Sequence, residues 1–398
     1  MFRNRDIAGK ALLAAALAST AFVPLGSAQA NKLTVLYSFG GKSGDGYNPT
    51  GRLLRDAGGN LYGATFNGGT GVCDQTNCGT VYRLAPDGTE TVLHSFAGPY
   101  GDGGEPYGAG PIADRKGNLY GTTYEGGTHN FGAIYKLAPK GKETLLYSFT
   151  GTDDGGAPMG GLVRSGGNLY GTTIGGGAYR EGTVFKLARD GTESVLHSFG
   201  SGSDGVAPYQ GGLVADNAGN LYGTTSTGGA YGGGGTVFRV APDGTEMVLY
   251  SFTGYSDGLG PYSGVILDKQ GNIYGTTVLG GGTGCGENGC GTVFKLAPDG
   301  TETVLHAFTG GSDGSQPIGD LVIDKEGNLY GTTDSGGAGY EGVVFKLTPD
   351  GTETVLHAFN GGDGDSPVGG LILYEGNLYG TTAGGGANNA GTVFEVTK

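Results

Sequence analysis

The segment Gly-Asn-Leu-Tyr-Gly, most often running on into Thr-Thr as at residues 117–123, returns seven times along the chain, sometimes as a close copy. Its tyrosine falls at Tyr62, Tyr120, Tyr170, Tyr222, Tyr274, Tyr330 and Tyr379, at intervals of 49 to 58 residues. A period near fifty argues against one irregular globule and for a ring or stack of like units. Glycine supplies 90 of 398 residues and proline 15, a share that marks low complexity in an aperiodic chain. Here both keep the period, so they read as turns.

One unit occupies residues 158–199. It carries Gly-Leu-Val at 161–163, Asn-Leu-Tyr-Gly-Thr-Thr at 168–173, Thr-Val-Phe-Lys-Leu at 183–187 and Ser-Val-Leu-His-Ser-Phe at 194–199. Short runs rich in β-branched and aromatic residues, bounded by Gly, Asp and Pro, predict four antiparallel strands. Pro-Asp-Gly at 86–88, 242–244, 298–300 and 349–351 locks the third and fourth strands as a hairpin, because proline presets one turn position and glycine takes the left-handed one. Gly171, inside a strand, predicts a close approach from outside, which face-to-face packing of neighbouring units would supply.

The second, third and outermost strands each occur seven times, but only six hairpins join third to fourth in sequence. The seventh is divided between the chain ends: residues 32–39 complete residues 391–397. An open array would carry dissimilar polar caps; complementary half-units imply a closed ring without exposed edges. The expected fold is all-β: a seven-bladed β-propeller of four-stranded antiparallel blades, closed by the N- and C-terminal strands. Third strands carry Arg83, Lys136, Lys186, Arg239, Lys295 and Lys346 before a Glu such as Glu193, with the signs reversed at Glu395 and Lys32. This suggests a charge register across each hairpin.

The units resemble the GloVer repeat of secreted bacterial proteins over residues 31–398. The resemblance implies export and a propeller-like array, and brings no established activity or catalytic residues. Members of that family often end in a sorting or anchoring tail; the lack of one at Lys398 favours release. Residues 216–222 are also similar to the first hairpin of NHL-type blades. By that analogy the Leu-Val strand lines a central channel and the Leu-His-Ser-Phe strand is outermost.

Residues 1–30 read as a secretory signal, with Arg3, Arg5 and Lys10 before an apolar run and Ala28-Gln29-Ala30 as a cleavage site. The expected destination is the periplasm or the extracellular space. Four cysteines form two short pairs, Cys73 with Cys78 and Cys285 with Cys290, read as local disulfides in an exported chain. The formal charge of −14 argues against nucleic acid and anionic membranes as partners. A monomer without a membrane span is expected.

Asp-Gly-x-x-Pro enters every inner strand, with Asp45, Asp102, Asp154, Asp204, Asp257, Asp313 and Asp363. These carboxylates either ring the channel mouth, where they would hold Ca²⁺ or a cationic or polyhydroxyl ligand, or bond their own turn amides. No other cofactor is implied. Variable loop tips carry Phe66, Tyr124, His129, Tyr179, Tyr231 and Tyr340, aromatics beside polar groups that suit glycan stacking and protein contact. His94, His197, His306 and His357 share one repeat position with Tyr37, Tyr147 and Tyr250, which reads as packing. The sequence therefore points to a secreted, non-catalytic binding or scaffold module for an extracellular glycan or protein. The alternative is a hydrolase, lactonase or lyase using carboxylates or Ca²⁺ at the channel mouth.

Overall fold

A computed structural model describes residues 31–398 apart from 74–76, 109, 201–202 and 283. The expected signal segment lies outside the described residues. Seven four-stranded antiparallel sheets make the seven blades of a β-propeller. In the third blade the strands are Val163–Ser165, Asn168–Thr173, Thr183–Leu187 and Glu193–Ser198, paired in that order from the channel outward. Lys32–Ser38 pairs antiparallel with Thr392–Thr397, from Lys32 opposite Thr397 to Ser38 opposite Thr392. The divided blade is thereby completed and the ring closed, as the strand count requires. Among the described residues, no helix is long and apolar enough to cross a membrane.

Burial explains the repeat. In Thr183–Leu187 the side chains of Val184 and Phe185 are wholly buried, because each face of this central strand meets a neighbouring blade. The phenylalanine after each outermost strand stands edge-on to the third-strand aromatic of the next blade: Phe149 to Phe185, Phe199 to Phe238, and Phe39 to Tyr82 across the closure. Seven such pairs, with centroids 5.0–5.2 Å apart, run round the ring. Edge-to-face contacts add roughly 0.5–1.5 kcal/mol each beyond the area they bury.

The strand glycine has a different cause from the one expected. A Cβ on Gly171 would lie 2.6 Å from Cζ of Phe185, its partner on the next strand of the same blade. The next nearest atoms, of Phe185 and Leu162, also belong to this blade, so the close approach comes from within it and not from the adjacent one. Gly171→Ala is expected to lower unfolding free energy by about 1–3 kcal/mol through overpacking. Gly191→Ala, at an open turn with φ 87°, meets no neighbouring atom and is expected to cost only the left-handed backbone strain, about 1–2 kcal/mol; urea unfolding compares the two.

The charge register also differs. Lys186 stands opposite Ser194, and Glu193 opposite Leu187. At the closure Glu395 stands opposite Thr34, and accepts hydrogen bonds from Asn377 Nδ2 at 2.7 Å and Tyr379 Oη at 2.9 Å. Those two donors need an acceptor because this blade has Tyr374 where five others have an aspartate such as Asp114. Asp114 accepts from Asn118 and Tyr120 in the same way. The cysteines form two local disulfides, Cys73–Cys78 and Cys285–Cys290, each within one loop.

Candidate functional site

The Asp-Gly-x-x-Pro aspartates each sit just past an outermost strand and turn back onto it. Asp154 accepts from the Thr150 amide at 2.9 Å and from Tyr147 Oη at 2.9 Å. Asp257 does the same with Thr253 and Tyr250, and Asp45 with Gly41 and Tyr37. In other blades histidine takes the tyrosine's place: His94 Nε2 lies 2.7 Å from Asp102, His197 2.9 Å from Asp204 and His357 3.0 Å from Asp363. Asp313 accepts from Thr309, with His306 at 3.5 Å. The position shared by His and Tyr is therefore a donor to the repeat carboxylate as well as a packing residue; either side chain puts an N–H or O–H at the same reach.

A second carboxylate closes on this pair from the next blade. Glu193 feels Asp154, Glu302 feels Asp257 and Glu353 feels Asp313. Burial, then the neighbouring aspartate, pushes each of these glutamates up to about 7. The same causes push Glu143 up to about 6. The Oε1 atoms of Glu90, Glu143, Glu193, Glu246, Glu302 and Glu353 are all buried without a hydrogen-bond partner. Leu33 occupies the equivalent position in the divided blade.

Some of the residues that break the repeat gather at the centre of the ring. Where each inner strand begins, glycine recurs because neighbouring backbones almost touch: a Cβ on Gly264 would lie 2.7 Å from the Gly212 carbonyl oxygen. Arg52 and Asp320 replace glycine there in the first and sixth blades. Both line a central cavity of about 380 Å³ with Gln210 and Leu213. The Gly264 amide donates to Asp320 Oδ1 at 2.7 Å. Burial pushes the Asp320 carboxyl up, and the Arg52 guanidinium and this amide pull it partly back.

Four tyrosines stand at the mouth of that channel. Tyr107, Tyr209 and Tyr262 each follow the proline that opens an inner strand, and Tyr124 follows Thr-Thr of the second blade. Tyr209 and Tyr262 stack with centroids 4.8 Å apart at 41°, and Tyr107 meets Phe66 edge-on at 5.1 Å. Burial raises the Tyr107 and Tyr209 hydroxyls; Tyr209 and Asp334 also act on Tyr107, and Tyr262 and Tyr124 on Tyr209. All four rings are half-buried. They form an aromatic face beside an amide, Gln210, and a carboxylate, Asp334, and Gln210 also lines the cavity that holds Asp320.

Of the sequence candidates, Phe66 and Tyr124 join this cluster. Tyr179, Tyr231 and Tyr340 project from loop tips, 53%, 67% and 77% exposed. His129 is exposed and its Nδ1 contacts only Thr128 Oγ1, at 3.0 Å, among the described residues. Tyr107, Tyr209 and Tyr262 escaped sequence reasoning because the Asp-Gly-x-x-Pro motif absorbed them. The signal lay in the residue after the proline, which is Thr50, Tyr107, Met159, Tyr209, Tyr262, Ile318 and Val368 in turn. A broader recess of about 1090 Å³ on the opposite face is lined by turn residues such as Asp268, Asp324 and Lys398. Its walls join repeated turns to residues particular to these blades, among them Lys269, Lys325, Glu326 and Lys398, the last 3.7 Å above the Tyr330 ring.

The model of the Gloeobacter/Verrucomicrobia repeat matches residues 25–153, 70–288 and 284–398, a span that takes in all seven blades. The chain belongs to this repeat family. Comparison of the Gloeobacter/Verrucomicrobia repeat chain with curated protein sequences yields no significant match. Among solved structures it is similar to virginiamycin B lyase from Staphylococcus aureus, with TM-score 0.60 and 13% identity over 92% of this chain and 99% of that one. It is also similar to the extracellular domain of the one component system BT4673 from B. thetaiotaomicron, with TM-score 0.56 and 11% identity over 92% of this chain. The repeat chain spans 40% of that longer protein. At such identities the likeness is one of fold, and that fold serves both an enzyme and an extracellular domain.

Proposed function

We propose that this propeller is an exported, non-catalytic binding module whose ligand is an extracellular glycan, seated at the channel mouth. The observation that carries the reading is the cluster of Tyr107, Tyr124, Tyr209 and Tyr262 beside Gln210 and Asp334. It is confined to the second, fourth, fifth and sixth blades and is not part of the repeat. Sugar rings present apolar C–H faces and a rim of hydroxyls; half-buried aromatic faces with adjacent amides and carboxylates meet both needs. Two disulfides and the likeness to an extracellular domain agree with an oxidising compartment, and residues 1–30 would supply the export signal.

Purified residues 31–398 are expected to be retained by one sugar class on a glycan panel. Tyr209→Ala and Tyr262→Ala are each expected to weaken that retention about tenfold or more, while Tyr340→Ala at an outer loop leaves it unchanged. A blank panel sinks the glycan reading and turns the search to protein partners. One observation favours the enzymatic alternative: the Asp320 carboxyl, raised by burial beside Arg52, has the environment of a general acid. Turnover of a retained sugar that Asp320→Asn abolishes would establish it.

A further inference from the structure

We propose that His197, Asp204 and Glu246 form a binding site for a divalent cation of the zinc class, bridging the third and fourth blades. One ligand atom from each of the three lies within 4.8 Å of the others, the one such group among the described residues. His197 ends the outermost strand Glu193–Ser198 of the third blade, Asp204 lies on the loop that follows it, and Glu246 opens the outermost strand Glu246–Ser251 of the fourth. The ligands are thus fixed by two different sheets, and a bound ion would tie them together.

Three features say that this pocket wants a cation. Asp204 is buried, with 6% of its side chain exposed, and faces the carboxylate of Glu246. Glu246 Oε1, like its counterparts at the other junctions, is buried with no hydrogen-bond partner, an acceptor left unmet in a place where that is costly. The divided blade supplies the control: at the equivalent junction of Tyr37, Asp45 and Glu90, the Lys42 ammonium contacts Glu90 Oε2 and lies 5.9 Å from the centre of the Tyr37 ring. A fixed cation therefore occupies the corresponding place there. No other junction has a lysine or arginine between the outermost strand and its repeat aspartate.

The donor set selects the ion. One imidazole nitrogen and two carboxylate oxygens suit Zn²⁺, with water completing the shell. Ca²⁺ requires six to eight oxygens, and Asp204 Oδ1 is already held by the Gly205 amide at 2.7 Å. The ion would take the Nε2 lone pair of His197 in place of its present contact with Asp204 Oδ2, with the neutral ring's one proton on Nδ1. Nitrogen is also offered where His94 and His306 meet Asp102 and Asp313; among the described residues only His197, Asp204 and Glu246 bring three ligand atoms within 4.8 Å of one another.

The test is Zn²⁺ titration of chelator-treated residues 31–398, followed by calorimetry and by thermal unfolding. Zn²⁺ is expected to bind and raise Tm, with Ca²⁺ at the same concentration leaving Tm unchanged. Glu246→Gln is expected to weaken the tightest Zn²⁺ site by about tenfold or more. His197→Gln gives the same loss and stands in if the first variant fails to fold. Glu193→Gln, at a junction with Tyr147 and no histidine, retains the wild-type affinity. The proposal is overturned if the wild-type protein takes up no Zn²⁺, if both site variants bind as tightly as wild type, or if Ca²⁺ stabilises as well as Zn²⁺.

Discussion

Deleting residues 31–39 is expected to leave a chain that no longer forms a stable monomeric ring. The deletion strips Thr392–Thr397 of its partner along the whole register from Thr397 to Thr392, exposing a strand edge that invites pairing with other chains. It also removes Phe39, fully buried against Tyr82 and Val393. Phe39→Ala alone should cost about 3–5 kcal/mol, a fall in Tm of roughly 5–10 °C in a domain of this size. The full deletion should fall further and aggregate on heating. Size-exclusion chromatography and scanning calorimetry read both effects. A truncated chain that stays monomeric with unchanged Tm would mean that each blade stands without closure.

Stability is expected to peak near pH 4–5 and to fall as pH rises toward 8. Glu193, Glu302 and Glu353 ionise at about 7 in the folded chain, raised from an ordinary 4.5 first by burial and then by Asp154, Asp257 and Asp313. Between those values the folded state holds more protons than the unfolded one, so their contribution is full below 4.5 and is lost as pH climbs through 7. On the acid side the sign reverses for Asp114. Burial pushes it up, but hydrogen bonds from Asn118, Lys116 and Tyr120 outweigh this and hold it at about 2. Its contribution is present above 3.8 and is lost as pH falls toward 2. His306, lowered chiefly by burial, opposes the glutamate trend with a single group.

Discounted for solvent screening, each raised glutamate is worth on the order of 1 kcal/mol. Together they should lower Tm by roughly 3–6 °C between pH 5 and pH 8. The triple variant Glu193→Gln, Glu302→Gln, Glu353→Gln should flatten this slope and melt above wild type at pH 8. Equal slopes for the two proteins in calorimetry with chelator present would show that these carboxyls do not carry the pH dependence.

The sequence was most readable where a pattern repeats. Seven copies of one motif with six internal hairpins left residues 32–39 no partner but residues 391–397, although the register, Lys32 opposite Thr397 and not Glu395, did not follow from that count. The local cysteine pairs were legible for a related reason, since five-residue spacing within one loop leaves little choice. The site was less legible. Tyr209 and Tyr262 belong to different blades, 53 positions apart, and only the convergence of inner strands on one axis brings their rings to 4.8 Å. Asp320 and Arg52 are likewise distant in sequence and share the channel because the ring returns to its start.

By itself, then, the order of residues determined the blade count, the strand pairing and the closure, because these depend on period, turn chemistry and alternation within fifty residues. Tertiary structure decided the rest. It assigned Gly171 to the ring of Phe185 within its own blade. It turned the repeat aspartates back onto outer-strand His and Tyr donors and set a glutamate of the next blade against them. The physical reason is that hydrogen bonds and ion–ion forces act through a few ångströms of space, and in a ring of blades those few ångströms join residues that the chain separates by a whole repeat or more.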